Sequence, residues 1–267
     1  MKYDDPEKLY KIIQYIKTTE PYLTKEEILA SFEIHPNCGD TILMIPARSS
    51  SKRVKNKNIY KINGIPLIAY TILLGKQLKQ IDRIIVSTDS IEFAEIAKEY
   101  GAEVPFLRPK SLSLDNSSLG NLATLVVDYV SLIERRARRR IITMLPTNPF
   151  RNLNDMQKLL EEVDNCSHMC SGFNVNVDIS KICVSSQTGL KFIEPYIKKP
   201  LPKHNCYKHT GMLSSINMYY KHKYGRSFKF YNITNPIELI DIDSMDDIKL
   251  AEIIIKENIY DFGFKLC

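Results

Sequence analysis

The chain opens with apolar residues spaced three and four apart: Leu9, Ile12, Ile13 and Ile16, then Ile28 and Leu29. That period predicts amphipathic helices between residues 5 and 32. Thr24 followed by Glu27 forms a capping-box pattern that would start the second helix. The stretch EIHPNCGD then breaks the pattern, so residues 1–39 read as a helical extension ahead of the main domain.

From residue 40 the periodicity alternates. A short apolar run at 41–46 predicts a buried strand. A helix is expected over about 66–79, opened by Pro66, and a β-branched strand at 83–87. A helix at 91–100, a short strand at 104–107, a long helix at 117–135 and a strand at 141–145 follow. Strands alternating with helices predict an α/β fold with a mostly parallel sheet and right-handed crossovers. Ligands of such sheets bind beyond the carboxyl ends of the strands. Four polar or charged loops fall at those ends: 48–58, 87–90, 108–118 and 146–151.

Residues 171–235 behave differently, with short β-like runs and few helical stretches, and read as an inserted or peripheral subdomain within a main domain of 40–267. A basic segment rich in His and Tyr spans 198–210. The chain closes with Ile240-Asp241-Ile242-Asp243, a cap at Ser244 and a final helix over roughly 245–257.

Composition narrows the picture modestly. An apolar fraction of 44% and a charged fraction of 25% are ordinary for a globular protein. No apolar run approaches the roughly 20 residues that span a bilayer, and the polar start MKYDDPEKLYK does not read as a signal peptide. Six scattered cysteines form no CxxC pair, which favours reduced thiols in a cytoplasm. The clusters Cys166/His168/Cys170 and His204/Cys206/His209 lack zinc-finger or ribbon spacing, so structural or surface roles are expected for them. A net charge of +6 favours anionic partners without choosing among phosphates, acidic small molecules and nucleic acid. The run Arg135-Arg136-Ala137-Arg138-Arg139-Arg140 has no interleaved aromatic residues and falls at a predicted helix C-terminus, where cations meet the helix dipole favourably. It reads as a solvated helix end rather than a nucleic-acid patch.

Two motifs carry chemistry. PARSSSKRVKNKN at 46–58 places five cations and three consecutive serines directly after a strand. A nucleoside triphosphate must have its charge neutralised before a nucleophile can approach, and Lys, Arg and backbone N–H groups in a tight loop do this. Neither a Walker loop nor G-x-G-x-x-G is present. In IDID, alternation puts Asp241 and Asp243 on one side, about 7 Å apart by the strand rise. Such a pair can hold Mg²⁺ bridging substrate phosphates, although Asp243 alone could serve the cap of the last helix.

The motifs ARSSSKRVKNKN, IVSTDS, AKEYGAEVPFLRP with SLSLDNSS, LPTNPFR and IDIDSMDDIKLAE, in that order, resemble the acylneuraminate cytidylyltransferases, a family that includes CMP-sialic acid synthetases. The resemblance covers about residues 41–256 and is weakest in the middle. It implies a Rossmann-like nucleotidyltransferase fold with a small dimerisation subdomain, a homodimer, and transfer of CMP from CTP to an acidic acceptor with Mg²⁺ and release of pyrophosphate. By motif position, Arg48, Ser49, Ser50, Ser51 and Lys52 would meet the triphosphate, and Lys57 and Asn58 would reach phosphate and cytosine. Ser87, Asp89, Arg108 and Ser117 would belong to the nucleotide pocket, and Asp241 and Asp243 would bind metal. Arg48, Lys52 and Asp243 would be catalytic. Leu145, Thr147, Asn148, Lys181 and Leu213 would meet the acceptor.

Two departures stand out. Leu145 replaces a glutamine and Leu213 an arginine expected near the sugar acid. A changed lining implies changed specificity. The family default is a nonulosonic acid; the alternative is a phosphonate such as 2-aminoethylphosphonate, which the cationic segment Lys198, Lys199, Lys203, His204, Tyr207, Lys208 and His209 would suit. A noncatalytic nucleotide or RNA binder is a further alternative, against which Lys52 and the aspartate pair argue. No nucleic-acid or membrane partner is expected.

Overall fold

The structure, a computed structural model, describes residues 5–19, 41–113, 118–134, 140–175, 183–186, 189–192 and 206–266. Its centre is a six-stranded sheet. Strand β1 (Thr41–Pro46) pairs in parallel with β4 (Arg83–Ser87) on one side and with β5 (Arg140–Thr143) on the other. Strand β9 (Cys206–Asn217) lies next to β5 and runs antiparallel to it. Beyond it come β6 (His168–Val175) and the edge strand β10 (Phe228–Asn232), parallel to each other. The order is β10-β6-β9-β5-β1-β4, with β9 the one reversed member. Two small hairpins, β2 (Lys61–Ile62) with β3 (Ile65–Pro66) and β7 (Cys183–Ser186) with β8 (Gly189–Phe192), stand apart from it.

Both faces of the sheet are covered, which is why β1 is buried at every position. Leu43 and Ile45 join Ile84, Val86 and Ile142 on one face, packed by Ile68 and Ile72 of α2 (Leu67–Gln77), Phe93 and Ala97 of α3 (Ile91–Glu99), and Leu159 and Leu160 of α5 (Leu153–Glu162). Ile42 and Met44 point the other way, with Ile85 and Ile141, towards Leu122, Leu125 and Val126 of α4 (Leu119–Glu134). Ile13 of α1 (Pro6–Thr19) is buried in that second layer. A third cluster joins Phe150, Tyr260 and Phe262 to Ile248, Ala251 and Ile254 of α7 (Met245–Lys256). The remaining helix, α6 (Met218–Tyr224), follows β9 directly.

Two expectations change, and part of a third falls outside the described residues. The strand expected at 104–107 shrinks to a single bridge between Ile85 and Glu103. Glu103 bonds Ile84 and Val86 through its N–H and C=O, and Pro105 has no N–H to continue the ladder. Within 171–235, β9, β10 and most of β6 belong to the central sheet, and the hairpin of β7 and β8 forms its own. In the N-terminal extension, α1 is present, while the helix expected from Thr24 lies outside the described residues.

Candidate active site

A cavity of about 440 Å³ opens where β1, β4 and β5 reach their carboxyl ends, the position the topology favours. The loop after β1 supplies Arg48, Ser51, Lys52, Arg53, Lys57 and Asn58. Arg108 enters from the segment after β4 and α3, Leu145 and Thr147 from the loop after β5, and Asp243 from the turn before α7.

The basic loop is braced from beneath. Asp89 accepts from the Ser49 N–H at 2.8 Å and from Ser49 Oγ at 3.2 Å. Asn58, 6% exposed, donates from Nδ2 to the Arg48 carbonyl at 3.0 Å. The loop turns tightly at Ser49, whose carbonyl accepts from the Ser51 N–H at 2.9 Å. It turns again at Asn56, which adopts a φ of 54°, a conformation asparagine tolerates. These bonds brace the backbone of a loop whose Arg48, Lys52, Arg53 and Lys57 line the cavity.

Arg108 is buried and anchored: its N–H donates to the Thr88 carbonyl at 2.7 Å and its guanidinium to Ser87. Burial pulls its pKa down to about 10, with Asp89 opposing that shift, so it is a cation at neutral pH. Asp243 faces this cationic wall. Lys57 Nζ donates to its Oδ1 at 2.7 Å and Arg53 to its Oδ2. The Lys57 hydrogen bond, followed by the charges of Lys57 and Arg53, holds the carboxyl below the usual aspartate range against burial. The α7 cap positions this aspartate: Asp247 Oδ2 accepts from the N–H of Asp243 at 3.0 Å and of Ser244 at 2.7 Å. The Ile242 N–H is tied to the Thr147 carbonyl at 2.7 Å.

The expected residues therefore separate into groups. Arg48, Ser51, Lys52, Lys57, Asn58, Arg108, Leu145, Thr147 and Asp243 line one cavity. Ser49 and Asp89 bond each other, and Ser87 serves Arg108 rather than the cavity. Ser50 is exposed and outside the lining. Asp241 is exposed and also outside it, so the two aspartates do not share one face as alternation predicted, and Asp243 alone of the pair lines the cavity. Asn148 is buried, with Nδ2 donating to the Ile240 carbonyl at 3.2 Å. Leu213, expected at the acceptor, is 0% exposed in the core and outside the cavity lining. Ser171 holds its backbone. At a bulge in the β6–β9 ladder its hydroxyl accepts from the Leu213 N–H at 2.9 Å and donates to the Leu213 carbonyl at 3.0 Å, replacing missing backbone bonds. Ser117 and Lys181 lie outside the described residues. Among the described residues no cluster of three or more His, Cys, Asp or Glu forms a metal cage.

Two side chains escaped sequence reasoning. Arg53 was visible only as one more cation in the loop. Arg151 ends the LPTNPFR motif and is fully buried. Its guanidinium donates to the carbonyls of Met212 at 2.8 Å, Leu145 at 2.8 Å and Gly211 at 3.2 Å, and to Thr71 Oγ1 at 3.1 Å. Burial lowers its pKa to about 9, which still leaves it charged at neutral pH. It clamps the end of β5 to β9 directly beneath Leu145. Gly211 permits that approach: a Cβ there would lie 2.4 Å from Leu145 Cδ1 and 2.5 Å from Asn148 Oδ1.

Fold and cavity define an α/β nucleotidyltransferase. The same fold is found in CMP:2-keto-3-deoxy-manno-octonic acid synthetase complexed with CTP, with a TM-score of 0.56 and 15% identity over 82% of this chain and 99% of that one. It is also found in 4-diphosphocytidyl-2C-methyl-D-erythritol synthase from Anaerococcus prevotii, with a TM-score of 0.54 and 12% identity over 81% and 98% of the two chains. The chain belongs to the cytidylyltransferase family, whose model matches residues 42–191. It is therefore an enzyme, a CTP-dependent cytidylyltransferase. It is 29% identical to a CMP-N,N'-diacetyllegionaminic acid synthase of Legionella pneumophila over 81% of this chain and 97% of that protein. It is 36% identical to an N-acylneuraminate cytidylyltransferase of Escherichia coli over 42% of this chain and 25% of that protein, and 33% identical to a pseudaminic acid cytidylyltransferase of Campylobacter jejuni over 45% and 52%. Among the described residues no helix is long and apolar enough to cross a membrane.

Proposed function

We propose that the enzyme transfers CMP from CTP to a nonulosonic acid, a sialic-like sugar acid. The cavity carries this reading: five cations, Arg48, Lys52, Arg53, Lys57 and Arg108, converge on a space that also contains one carboxylate. The named relatives that act on legionaminic, neuraminic and pseudaminic acids support the acceptor class. With Leu213 in the core, only Leu145 remains as a departure facing the cavity, which weakens the case for a phosphonate acceptor.

An acceptor hydroxyl oxygen attacks the α-phosphorus, and the bond to the bridging oxygen of pyrophosphate breaks. Negative charge grows on the departing oxygens. Arg48 and Lys52 stabilise it from the fixed loop, and Arg108 adds a cation that needs no reorganisation. Lys57 and Asn58 hold the nucleotide at the inner end of the loop. Asp243 suits Mg²⁺: it is a hard oxygen donor turned into a phosphate-binding cavity, and Mg²⁺ is commonly held by one or two carboxylates plus substrate phosphates. Asp243 would hold the ion, and the ion would supply further neutralisation of phosphate charge; Asp241, paired with it by the motif, lies outside the lining. The subunit is proposed to work as a cytoplasmic homodimer, which light scattering would check.

Pyrophosphate release across CTP, ATP, GTP and UTP, each against sugar acids and phosphonates, tests the reading. Turnover with CTP and a nonulosonic acid is expected. A preference for another nucleotide, or turnover with phosphonates alone, would overturn it.

A further inference from the structure

We propose that helix α1 is a strut of the nucleotide pocket and that Glu7 is a positioning residue for Arg108. The inference rests on the nucleotide reading of the cavity. Helix α1 lies outside the matched family segment, which begins at residue 42. It nonetheless packs against both segments that flank the cavity on that side.

The first contact is polar. Glu7 accepts from the Ser111 N–H at 3.0 Å through one carboxylate oxygen and from Ser111 Oγ at 3.3 Å through the other. Ser111 lies in a single 3₁₀ turn, Lys110–Leu112, three residues beyond Arg108. That turn is closed internally by the Leu112 N–H to the Pro109 carbonyl and by Ser113 Oγ to the same carbonyl, both at 3.0 Å. It therefore moves as a unit, and pinning Ser111 pins the chain leaving Arg108.

The second contact is apolar. Leu9, Tyr10 and Ile13 pack into the cluster of Phe106, Leu112 and Leu122. Ile13 is 1% exposed, so this face of α1 is a built interface rather than a loose contact. Leu122 belongs to α4, whose first residue, Leu119, lines the cavity. Phe106 is also held from α4 by Tyr129, with ring centroids 4.8 Å apart. Arg108 thus sits between two fixed points, Ser87 on the sheet side and the α1-clamped turn on the other. A buried guanidinium presents its charge to a phosphate only if its backbone is held in place, since small displacements weaken directional donors.

The consequence is measurable as nucleotide affinity. Glu7→Ala removes the two bonds to Ser111 and should raise the dissociation constant for CTP about fivefold, the loss of one modest hydrogen-bond contribution. Glu7→Gln keeps an acceptor oxygen and should recover part of the affinity. Ile13→Ala undocks the same helix by a different route and should weaken CTP in the same direction. Isothermal titration of full-length protein with CTP would read all three, with far-ultraviolet dichroism confirming the fold. Matching losses with partial rescue by Gln would support the strut. If the parent binds CTP but both alanine variants stay within twofold of it, the strut is overturned and the nucleotide reading survives. If the parent fails to bind CTP, both readings fall together.

Discussion

Lys57 and Asp243 meet across 186 residues of sequence, with the lysine Nζ 2.7 Å from the carboxylate Oδ1. Arg53 meets the other oxygen of the same carboxylate. The carboxylate is thus held by two of the cations that a triphosphate would attract. Removing it should separate binding from chemistry. The Asp243→Ala variant is expected to bind CTP in EDTA at least as tightly as the parent, because one like charge near the phosphates is gone. With Mg²⁺ its turnover should fall about 100-fold or more, the scale of losing one preorganised charge-stabilising group. Equal turnover of variant and parent would remove Asp243 from the mechanism.

The same pair gives a pH signature in the nucleotide-free, metal-free protein. The Lys57 hydrogen bond depresses the Asp243 carboxyl, so its pairing stabilises the fold above the unfolded value of about 3.9 and is lost as pH falls through the lower folded value. The thermal midpoint of the parent minus that of Asp243→Asn should be constant and small from pH 7 down to about 5, since the pair is partly exposed. It should vanish at lower pH. A difference that disappears between pH 7 and 5 would assign the titration to another group.

Asp89 was expected as a nucleotide contact, but it braces the loop through Ser49. Asp89→Asn keeps the shape and weakens the acceptor. The KM for CTP should rise about fivefold with kcat changed less, because the cations remain but the loop that aims them is looser. A fall in kcat alone would place Asp89 in the chemical step.

Among the described residues, Arg151 has carbonyls and a hydroxyl as its hydrogen-bond partners. Arg151→Met would take the guanidinium from the buried Met212 carbonyl and the Thr71 hydroxyl, and leave the Gly211 and Leu145 carbonyls with only the Leu145 and Asn148 N–H groups; a buried group left unpaired costs roughly 1–3 kcal/mol. Urea denaturation should show a loss of about 3 kcal/mol or more, and Arg151→Lys a smaller one. An unchanged unfolding free energy for the Met variant would mean that water or repacking satisfies those carbonyls.

The parallel half of the sheet was legible because strands buried on both faces write themselves as continuous apolar runs, TILMIP and RIIVS. The basic loop was legible because its charge density follows one of those runs. Strand β9, CYKHTGMLSSIN, was not. It is irregular in polarity, contains two serines that face neighbours in the sheet, and owes its register to a bulge closed by a distant Ser171 hydroxyl. Leu213 was misplaced for the same reason: motif position cannot say which side of a bulged strand a residue takes. Nothing local to LPTNPFR announces that the Arg151 guanidinium bonds carbonyls about 60 residues away.

Among the described residues that line the cavity, every cation lies at or before residue 108, and Asp243 is the single one beyond residue 147. During synthesis the cationic wall is complete long before the carboxylate leaves the ribosome. The two signs of charge in the cavity therefore come from distant parts of the sequence, and folding alone brings them together.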